Sequence, residues 1–231
     1  MDLRGWNVID EERAVLWREY EFSKGAYATT LVFRGTNGLV VISPGKGLEA
    51  ADYDVLSRFG EVRALIANNT FHHLGQGPWR ERFPQAESYA APQALAKLRK
   101  KAPAIPFRSL EELSLPPTAR IHVLPGFKNG EVLASVGSRQ GSVWYTGDLL
   151  ANLQRMPGPP ASWLFSWTDS GPGFRLFRLA VWLFVNDKRA VKERMNALLA
   201  EDPPSIIVPA HGPAVMTPNL VAEAKAQIAR L

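Results

Sequence analysis

The stretch Tyr145-Thr-Gly-Asp148-Leu-Leu150 places a glycine and an aspartate directly after a short apolar run. Ile206-Ile-Val-Pro-Ala-His211-Gly212 places a histidine and a glycine after a second apolar run, and Ala67-Asn-Asn-Thr-Phe-His72-His73-Leu-Gly75 follows a third. In an open α/β sheet, ligands bind at the carboxyl ends of the strands. Four side chains of metal-ligand type lie at these three predicted strand ends: His72, His73, Asp148 and His211.

The segments around these stretches alternate between strand-like and helix-like patterns. Hydrophobic periodicity and turn signals predict strands over residues 15–22, 27–33, 39–42, 62–67, 88–91, 120–124, 131–136, 142–146 and 205–208. Helices are predicted over residues 48–59, 78–83, 92–101, 174–185, 188–201 and 219–231. The chain thus begins with predicted strands, continues with alternating strands and helices, and ends mostly with helices. This order favours a layered α/β domain.

The composition limits the chemistry that the chain can use. Its 231 residues, 46% of them hydrophobic, predict a single domain over residues 1–231 with a sizeable core. The absence of cysteine excludes disulfides, thiolate zinc sites, iron–sulfur clusters and a cysteine nucleophile. Any metal must therefore be held by histidine, aspartate or glutamate. Of the four histidines, His122 lies inside a predicted strand and is interpreted as a structural or surface residue.

The charge distribution bears on partners and location. The net charge is +5 and the sequence pI is about 9.6, but no run of five basic residues occurs, so we expect no nucleic-acid partner. Residues 1–13 are polar and acidic, unlike a secretory signal. The longest apolar-rich stretch, residues 174–185, contains two arginines and is too short to cross a bilayer. A cytoplasmic protein is expected.

Three common motifs are absent. Gly45-Lys-Gly47 lacks the upstream glycine and the hydroxyl residue of a P-loop. No serine occupies a G-x-S-x-G elbow. Gly75 and Gly77 lack the third glycine of a dinucleotide-binding fingerprint. These observations exclude the commonest nucleotide-binding and serine-hydrolase signatures.

The order and spacing of the motifs resemble the metallo-beta-lactamase fold superfamily over nearly the whole chain. The similar segments are LVVISPG at residues 39–45, YTGDLL at residues 145–150 and IIVPAHG at residues 206–212. The resemblance implies an α/β fold, a four-layered αββα sandwich in which two mixed sheets are flanked by helices.

The histidine-rich loop departs from the family pattern H-x-H-x-D-H-x-G-G. Asn68 and Thr70 stand where the first two histidines belong, His72 stands at the aspartate, and His73 stands at the third histidine. The family also has a G-H-T-x-G turn, and its histidine is replaced here by Phe127. Three of the four ligands of the family's first metal are thereby lost, because phenylalanine offers no lone pair and amides and hydroxyls bind zinc poorly.

The positions of the family's second metal keep competent ligands. The resemblance therefore implies a mononuclear site with one divalent metal ion, foremost zinc, with iron and manganese as alternatives. Its implied ligands are His72, His73, Asp148 and His211.

The resemblance implies a metal-dependent hydrolase of a small ester, thioester or lactone-like molecule, with Asp148, Asn68 and Thr70 as candidate catalytic residues. Asn68 and Thr70 would hydrogen-bond a substrate oxygen beside the vacated metal position, and Lys128 would pair with an anionic group. Four protein ligands occupy every coordination position of a tetrahedral ion. A structural or sensing site without a free position is therefore an equal alternative. The alternative function is a non-catalytic metal-binding or scaffold module that keeps the fold.

Residues 163–184 are unusually aromatic, and apolar residues surround most of the predicted helix 174–185. One interpretation is a buried helix that covers a sheet face. The others are a homodimer surface, an apolar substrate wall and a membrane-surface helix. A homodimer through residues 163–184 is the predicted protein partner.

Overall fold

The computed structural model describes residues 3–156, 158–159 and 161–231. The strands are β1 (Asn7–Asp10), β2 (Val15–Ser23), β3 (Ala26–Arg34), β4 (Leu39–Ile42), β5 (Val62–Ala67), β6 (Glu87–Ala90), β7 (Phe107–Ser109), β8 (Ala119–Val123), β9 (Val132–Ser138), β10 (Gly141–Tyr145), β11 (Leu150–Leu153), β12 (Gly173–Leu176) and β13 (Pro204–Val208). The α-helices are α1 (Ala50–Asp54), α2 (Gln76–Arg82), α3 (Pro92–Lys101), α4 (Ala161–Trp167), α5 (Arg178–Phe184), α6 (Lys188–Glu201) and α7 (Leu220–Ala229).

Two mixed sheets form the centre of the fold. The larger has the order β1-β2-β3-β4-β5-β6-β7, antiparallel through β4 and parallel from β4 onward. All four residues of β4 are buried apolar residues, as a strand covered on both faces requires. The smaller sheet has the order β13-β10-β9-β8, with β10 parallel to β13 and antiparallel to β9. The strands predicted over residues 131–136 and 142–146 are β9 and β10, which pair as an antiparallel hairpin.

Alternating side chains divide the hydrophobic core into layers. In β3, Leu31 and Phe33 pack between the two sheets, whereas Val32 packs outward with side chains of α1 and α2. In β10, Tyr145 packs between the sheets, whereas Trp144 packs outward with side chains of α5, α6 and α7. Burying a large apolar side chain of this kind contributes about 1.5–3 kcal/mol. The predicted αββα sandwich is confirmed.

The predicted helix over residues 174–185 is wrong in its first turn. Phe174 pairs with Asn152 and Leu176 pairs with Leu150 in the antiparallel ladder of β11 and β12, and α5 begins two residues later. The apolar periodicity of this segment is compatible with either structure over so short a run. The backbone hydrogen bonds that β11 supplies decide in favour of a strand.

Two other segments differ from the prediction in extent. The helix expected over residues 48–59 is α1 followed by a 3₁₀ turn at Val55–Arg58. Between the predicted helix 92–101 and the predicted strand 120–124, where no element is predicted, lies β7, which pairs with β6. None of the helices in the described part of the chain has the length and hydropathy of a bilayer-spanning segment.

Candidate metal centre and its cavity

Three strand ends from both sheets meet at one edge of the sandwich. The loop after β5 is hydrogen-bonded to the smaller sheet, because the backbone carbonyl oxygen of Asn68 accepts the N–H of Val132 at 3.0 Å. The segment after β13 joins the larger sheet, because Ala210 accepts the N–H of Thr29 at 2.8 Å. Ala210 also donates its own N–H to Gly147 at 3.0 Å. These backbone bonds bring together residues that are far apart in the sequence.

His72, Asp148 and His211 form a compact group of metal-ligand type, with one ligand atom from each residue lying within 4.8 Å of the others. The Nε2 atom of His72 lies 3.1 Å from Asp148 Oδ1, and the Nε2 atom of His211 lies 3.2 Å from the same oxygen. His72 and Asp148 are buried, and His211 is partly exposed. Two imidazoles therefore converge on one carboxylate oxygen.

The opposite nitrogens of the two imidazoles are held by hydrogen bonds. His211 donates from Nδ1 to the carbonyl oxygen of Tyr27 at 2.8 Å, and His72 Nδ1 lies 2.7 Å from Ser43 Oγ. A carbonyl oxygen only accepts, so the proton of a neutral His211 ring is on Nδ1 and its Nε2 lone pair faces Asp148. Histidine ligands of metals are commonly oriented by such a bond at the second nitrogen. The donor set thus fits a divalent cation.

The ionisation of the group also favours a cation. Burial, the largest influence on Asp148, raises its pKa, but the charges and hydrogen bonds of His72 and His211 hold the pKa of that carboxyl well below its usual range. Burial lowers the pKa of His211, and the hydrogen bond and charge of Asp148 raise it above its ordinary value. A bound metal ion would take the place of the protons that otherwise join these groups.

A second buried carboxyl lies beneath Asp148. Glu131 Oε1 accepts the backbone N–H of Asp148 and the amide of Asn68, both at 3.0 Å. The amide of Asn69 lies 2.8 Å from both Glu131 Oε2 and Asp148 Oδ2. Burial, and then the negative charge of Asp148, raise the pKa of Glu131 well above its ordinary value. Asn69 therefore holds one carboxylate oxygen of Asp148, and the other faces the imidazoles.

Gly147 makes this arrangement sterically feasible. A Cβ at this position would lie 1.9 Å from Glu131 Oε1, and the glycine has a φ of +55°. Only glycine enters such a backbone conformation without cost and leaves room for the carboxyl. This contact explains the glycine that precedes Asp148.

The predicted fourth ligand, His73, is not part of the group. His73 is half-buried, and its Nδ1 atom has no hydrogen-bond partner in the described chain. Its pKa is lowered by burial and by the charge of Lys101. His72 and His73 are adjacent residues of a turn, and adjacent side chains diverge there, so one faces Asp148 and the other does not. The structure brings together three of the four predicted ligands.

The other predicted site residues do not line the cavity that opens onto the metal group. Asn68 and Thr70 are buried, and neither lines the cavity next to the metal group. Asn68 instead donates to Glu131. Lys128 is exposed and also lies outside the cavity lining. Phe127 packs in the core beside the inner face of α5, where its backbone pairs with Val185.

Sequence reasoning missed Glu131, Asn69 and Ser43. A glutamate at the start of a predicted buried strand was the available signal, because such a residue is almost never fully buried unless it has polar partners. Its amide partners Asn68 and Asn69 are 63 and 62 residues away along the chain, and no local pattern marks them.

A cavity of about 210 Å³ opens onto the metal group. Its ionisable lining consists of His72, Asp148 and His211, and Tyr20 lines it as well. The remaining lining residues are apolar: Phe22, Ala28, Phe71, Leu74, Phe177, Leu179, Ala180, Leu183 and Phe184. The α5 region that sequence patterning marked as aromatic thus forms one wall of this cavity.

Structural comparison places the chain among known folds. It aligns with a metallo-beta-lactamase from Pontibacter korlensis over 98% of this chain and 99% of the other, with 13% identity and a TM-score of 0.59. A metallo-beta-lactamase from Hirschia baltica aligns over 96% of each chain, with 10% identity and a TM-score of 0.62. A metal-soaked flavodiiron core from Synechocystis sp. aligns over 97% of this chain and 60% of the other, with 14% identity and a TM-score of 0.65.

Neither a protein-family model nor a curated protein sequence matches the chain. The structural likeness nevertheless covers the whole order of strands and helices, so the chain has the metallo-beta-lactamase fold. Within that fold, His72, Asp148 and His211 could hold a divalent metal ion.

Proposed function

We propose that this protein is a metal-dependent hydrolase that uses a single divalent ion, foremost zinc, on a small ester, thioester or lactone. The observation that carries the proposal is the convergence of His72 Nε2 and His211 Nε2 on Asp148 Oδ1 at the floor of a cavity. Three protein ligands leave a tetrahedral ion one open position, as catalytic zinc sites do. The four-ligand set expected from the sequence would have closed that position.

A divalent ion at such a site polarises a carbonyl group and lowers the pKa of a water molecule. In the hydrolysis, water adds its oxygen to the acyl carbon, the bond from that carbon to the ester oxygen or thioester sulfur breaks, and a proton goes to the leaving group. The chain contributes the orientation of the ligands. Tyr27 and Ser43 hold the imidazole rings, and Asn69 holds the carboxylate of Asp148.

Tyr20 supports the same chemistry from the cavity wall. Burial raises the pKa of its hydroxyl to about 12, and this group lies 3.3 Å from Ser43 Oγ. The hydroxyl therefore stays protonated at neutral pH and can donate to an oxygen that becomes negatively charged. The apolar walls lower the local polarity, which strengthens each electrostatic interaction inside the cavity.

A non-catalytic metal-binding module remains the second candidate. The observation in its favour is that His72 lies within hydrogen-bond distance of Asp148, and a protonated His211 forms an ion pair with the same carboxylate. The cytoplasmic location, the lack of a nucleic-acid partner and the homodimer through residues 163–184 stay predictions; in that region Trp163, Trp167 and Trp182 are exposed.

The test combines metal analysis with a substrate panel. Purified wild type should carry about one metal ion per chain and hydrolyse at least one generic ester, thioester or lactone. His211→Ala should lose both properties. His122→Ala is the matched control, because His122 lies on β8 and bonds Arg194, away from the site. A protein that binds one metal but is inactive on every substrate is the non-catalytic module. Absence of metal, with no gain in melting temperature on adding zinc, iron or manganese, contradicts both candidates.

A further inference from the structure

We infer that the cavity over the metal group binds an unbranched aliphatic acyl chain, whose carbonyl end lies at His72, Asp148 and His211. The position of the carbonyl rests on the proposed function, whereas the binding of the chain does not. We call this cavity of about 210 Å³ the inner cavity. Its ionisable groups lie together at the metal group, and its other walls are apolar. A ligand that matches these walls has one polar end and an apolar body, because an unpaired polar group placed against apolar walls is unfavourable.

The apolar walls come from three separate parts of the fold. Phe22 comes from β2, Phe71 and Leu74 come from the loop after β5, and Leu179 and Leu183 come from α5. Phe71 stacks at 4.9 Å on Phe184, which joins the loop to the helix. The cavity is therefore formed by segments that are distant in the sequence.

Several of these apolar side chains are exposed where the cavity meets solvent. Leu74 is 50% exposed, Phe71 is 47% exposed and Leu183 is 38% exposed. Each lines the inner cavity and keeps a substantial part of its surface accessible to solvent. An aliphatic chain that covers them removes apolar surface from water, which favours binding in proportion to the area.

A second, larger cavity of about 750 Å³, which we call the outer cavity, adjoins the inner cavity and provides space for the leaving group. Phe22, Phe177 and His211 line both cavities, so they meet at the metal group. The ring of His211 lies 5.9 Å from that of Phe22 and 5.4 Å from that of Phe177. The outer cavity also carries charged side chains, Glu19 and Arg155, which suit a polar leaving group. The apolar acyl chain therefore belongs in the inner cavity.

The binding test uses straight-chain fatty acids from butanoate to dodecanoate, titrated by calorimetry into zinc-loaded and metal-free protein. Each added methylene should tighten binding about fourfold until the inner cavity is filled. The heat-capacity change of binding should become more negative with chain length. Affinities that are independent of chain length in both forms of the protein overturn the inference.

Two leucines of equal exposure supply a matched pair of variants. Leu183 is 38% exposed and lines the inner cavity, and Leu164 is 39% exposed and lies outside it. Leu183→Gln should weaken octanoate binding about tenfold, and Leu164→Gln should leave it unchanged. Leu74→Gln, at the exposed rim, serves the same purpose should Leu183→Gln fold poorly. Octanoate binding that is the same in all three variants as in wild type overturns the inference.

The two proposals fail differently. Chain-length-dependent binding without hydrolysis of any acyl ester refutes the hydrolase and retains the acyl site. Hydrolysis of acetyl and octanoyl esters with equal kcat/KM, together with affinities that do not change with chain length, retains the hydrolase and refutes the acyl site.

Discussion

Glu131, which is fully buried, accepts the backbone N–H of Asp148 at 3.0 Å. A carboxyl group thus lies directly beneath the carboxylate that both imidazoles contact. Burial and the charge of Asp148 raise the pKa of Glu131, which favours its protonated form. The side-chain nitrogen of Asn129 lies 3.3 Å from Glu131 Oε2, and Asn129 Oδ1 has no hydrogen-bond partner. Rotating the Asn129 side-chain amide by 180° would let this oxygen accept the carboxyl proton of Glu131.

The first prediction separates the shape of Glu131 from its charge. Glu131→Gln keeps the shape of the neutral acid, so its free energy of unfolding should stay within about 1 kcal/mol of wild type. Glu131→Ala leaves the Asp148 N–H, the Asn68 amide and one N–H of the Asn69 amide without an acceptor, which should cost about 3 kcal/mol or more. Urea denaturation measures both. Equal losses in the two variants would show that Glu131 acts as a charged carboxylate.

The second prediction distinguishes the two adjacent histidines. His72→Ala should abolish metal binding, because His72 Nε2 lies 3.1 Å from Asp148 Oδ1. His73→Ala should retain one metal per chain, because His73 lies outside the three-residue group. Metal content after dialysis measures the difference. Loss of the metal in His73→Ala would show that His73 is a fourth metal ligand.

The third prediction concerns the orientation of Asp148. Asn69→Ala removes the amide that holds Asp148 Oδ2 at 2.8 Å. Such outer partners typically change metal affinity 10–100-fold, and we expect zinc affinity to fall about tenfold or more. Competition with a chelating dye measures the dissociation constant. Asn7→Ala, at an exposed position on β1, is the control and should leave the affinity unchanged. An unchanged affinity in Asn69→Ala contradicts the orienting role.

The fourth prediction concerns Gly147. Gly147→Ala forces a Cβ to within 1.9 Å of Glu131 Oε1 at a φ of +55°, so we expect a loss of about 2–4 kcal/mol in unfolding free energy. Gly77→Ala is the matched control. Gly77 lies inside α2, and nothing lies within 4 Å of an added Cβ, so this change should stabilise the protein by about 0.5–1 kcal/mol. A neutral Gly147→Ala would contradict the contact.

The fifth prediction concerns acid stability. Burial, the largest influence on Asp52, raises its pKa, but the hydrogen bond from Arg18, the N–H of Glu49 and the hydrogen bond from Arg4 together lower it. A carboxyl whose folded pKa lies below its unfolded value of about 3.9 stabilises the fold above that pH, and the stabilisation is lost as the pH falls through the folded pKa.

Asp52→Asn should therefore lower the unfolding free energy by about 1 kcal/mol at pH 7, and the difference from wild type should shrink below about pH 4. Thermal unfolding from pH 7 to pH 3 measures it. Asp54→Asn, an exposed position on the same helix, is the control and should change stability little at any pH. A difference for Asp52→Asn that is constant with pH would contradict the assignment.

The sequence by itself determined the layered order of strands and helices and the positions of Asp148 and His211. These features are local: an apolar run sets a strand, and the glycine or proline near its end sets the turn. They sufficed to indicate a layered α/β domain and one edge for the site, and the resemblance of the motifs to the metallo-beta-lactamase fold superfamily implied the αββα sandwich, although the chain has only 10–14% identity to structures of the same fold.

Only the tertiary structure decided which side chains reach the site. It turns His72 toward Asp148 and leaves His73 outside the group, and it buries Glu131 below them. It also makes residues 173–176 a strand, because β11 supplies the backbone partners. Contacts such as that of His211 with Tyr27 join residues 184 positions apart. No local pattern contains such pairings, since they depend on how the two sheets pack together.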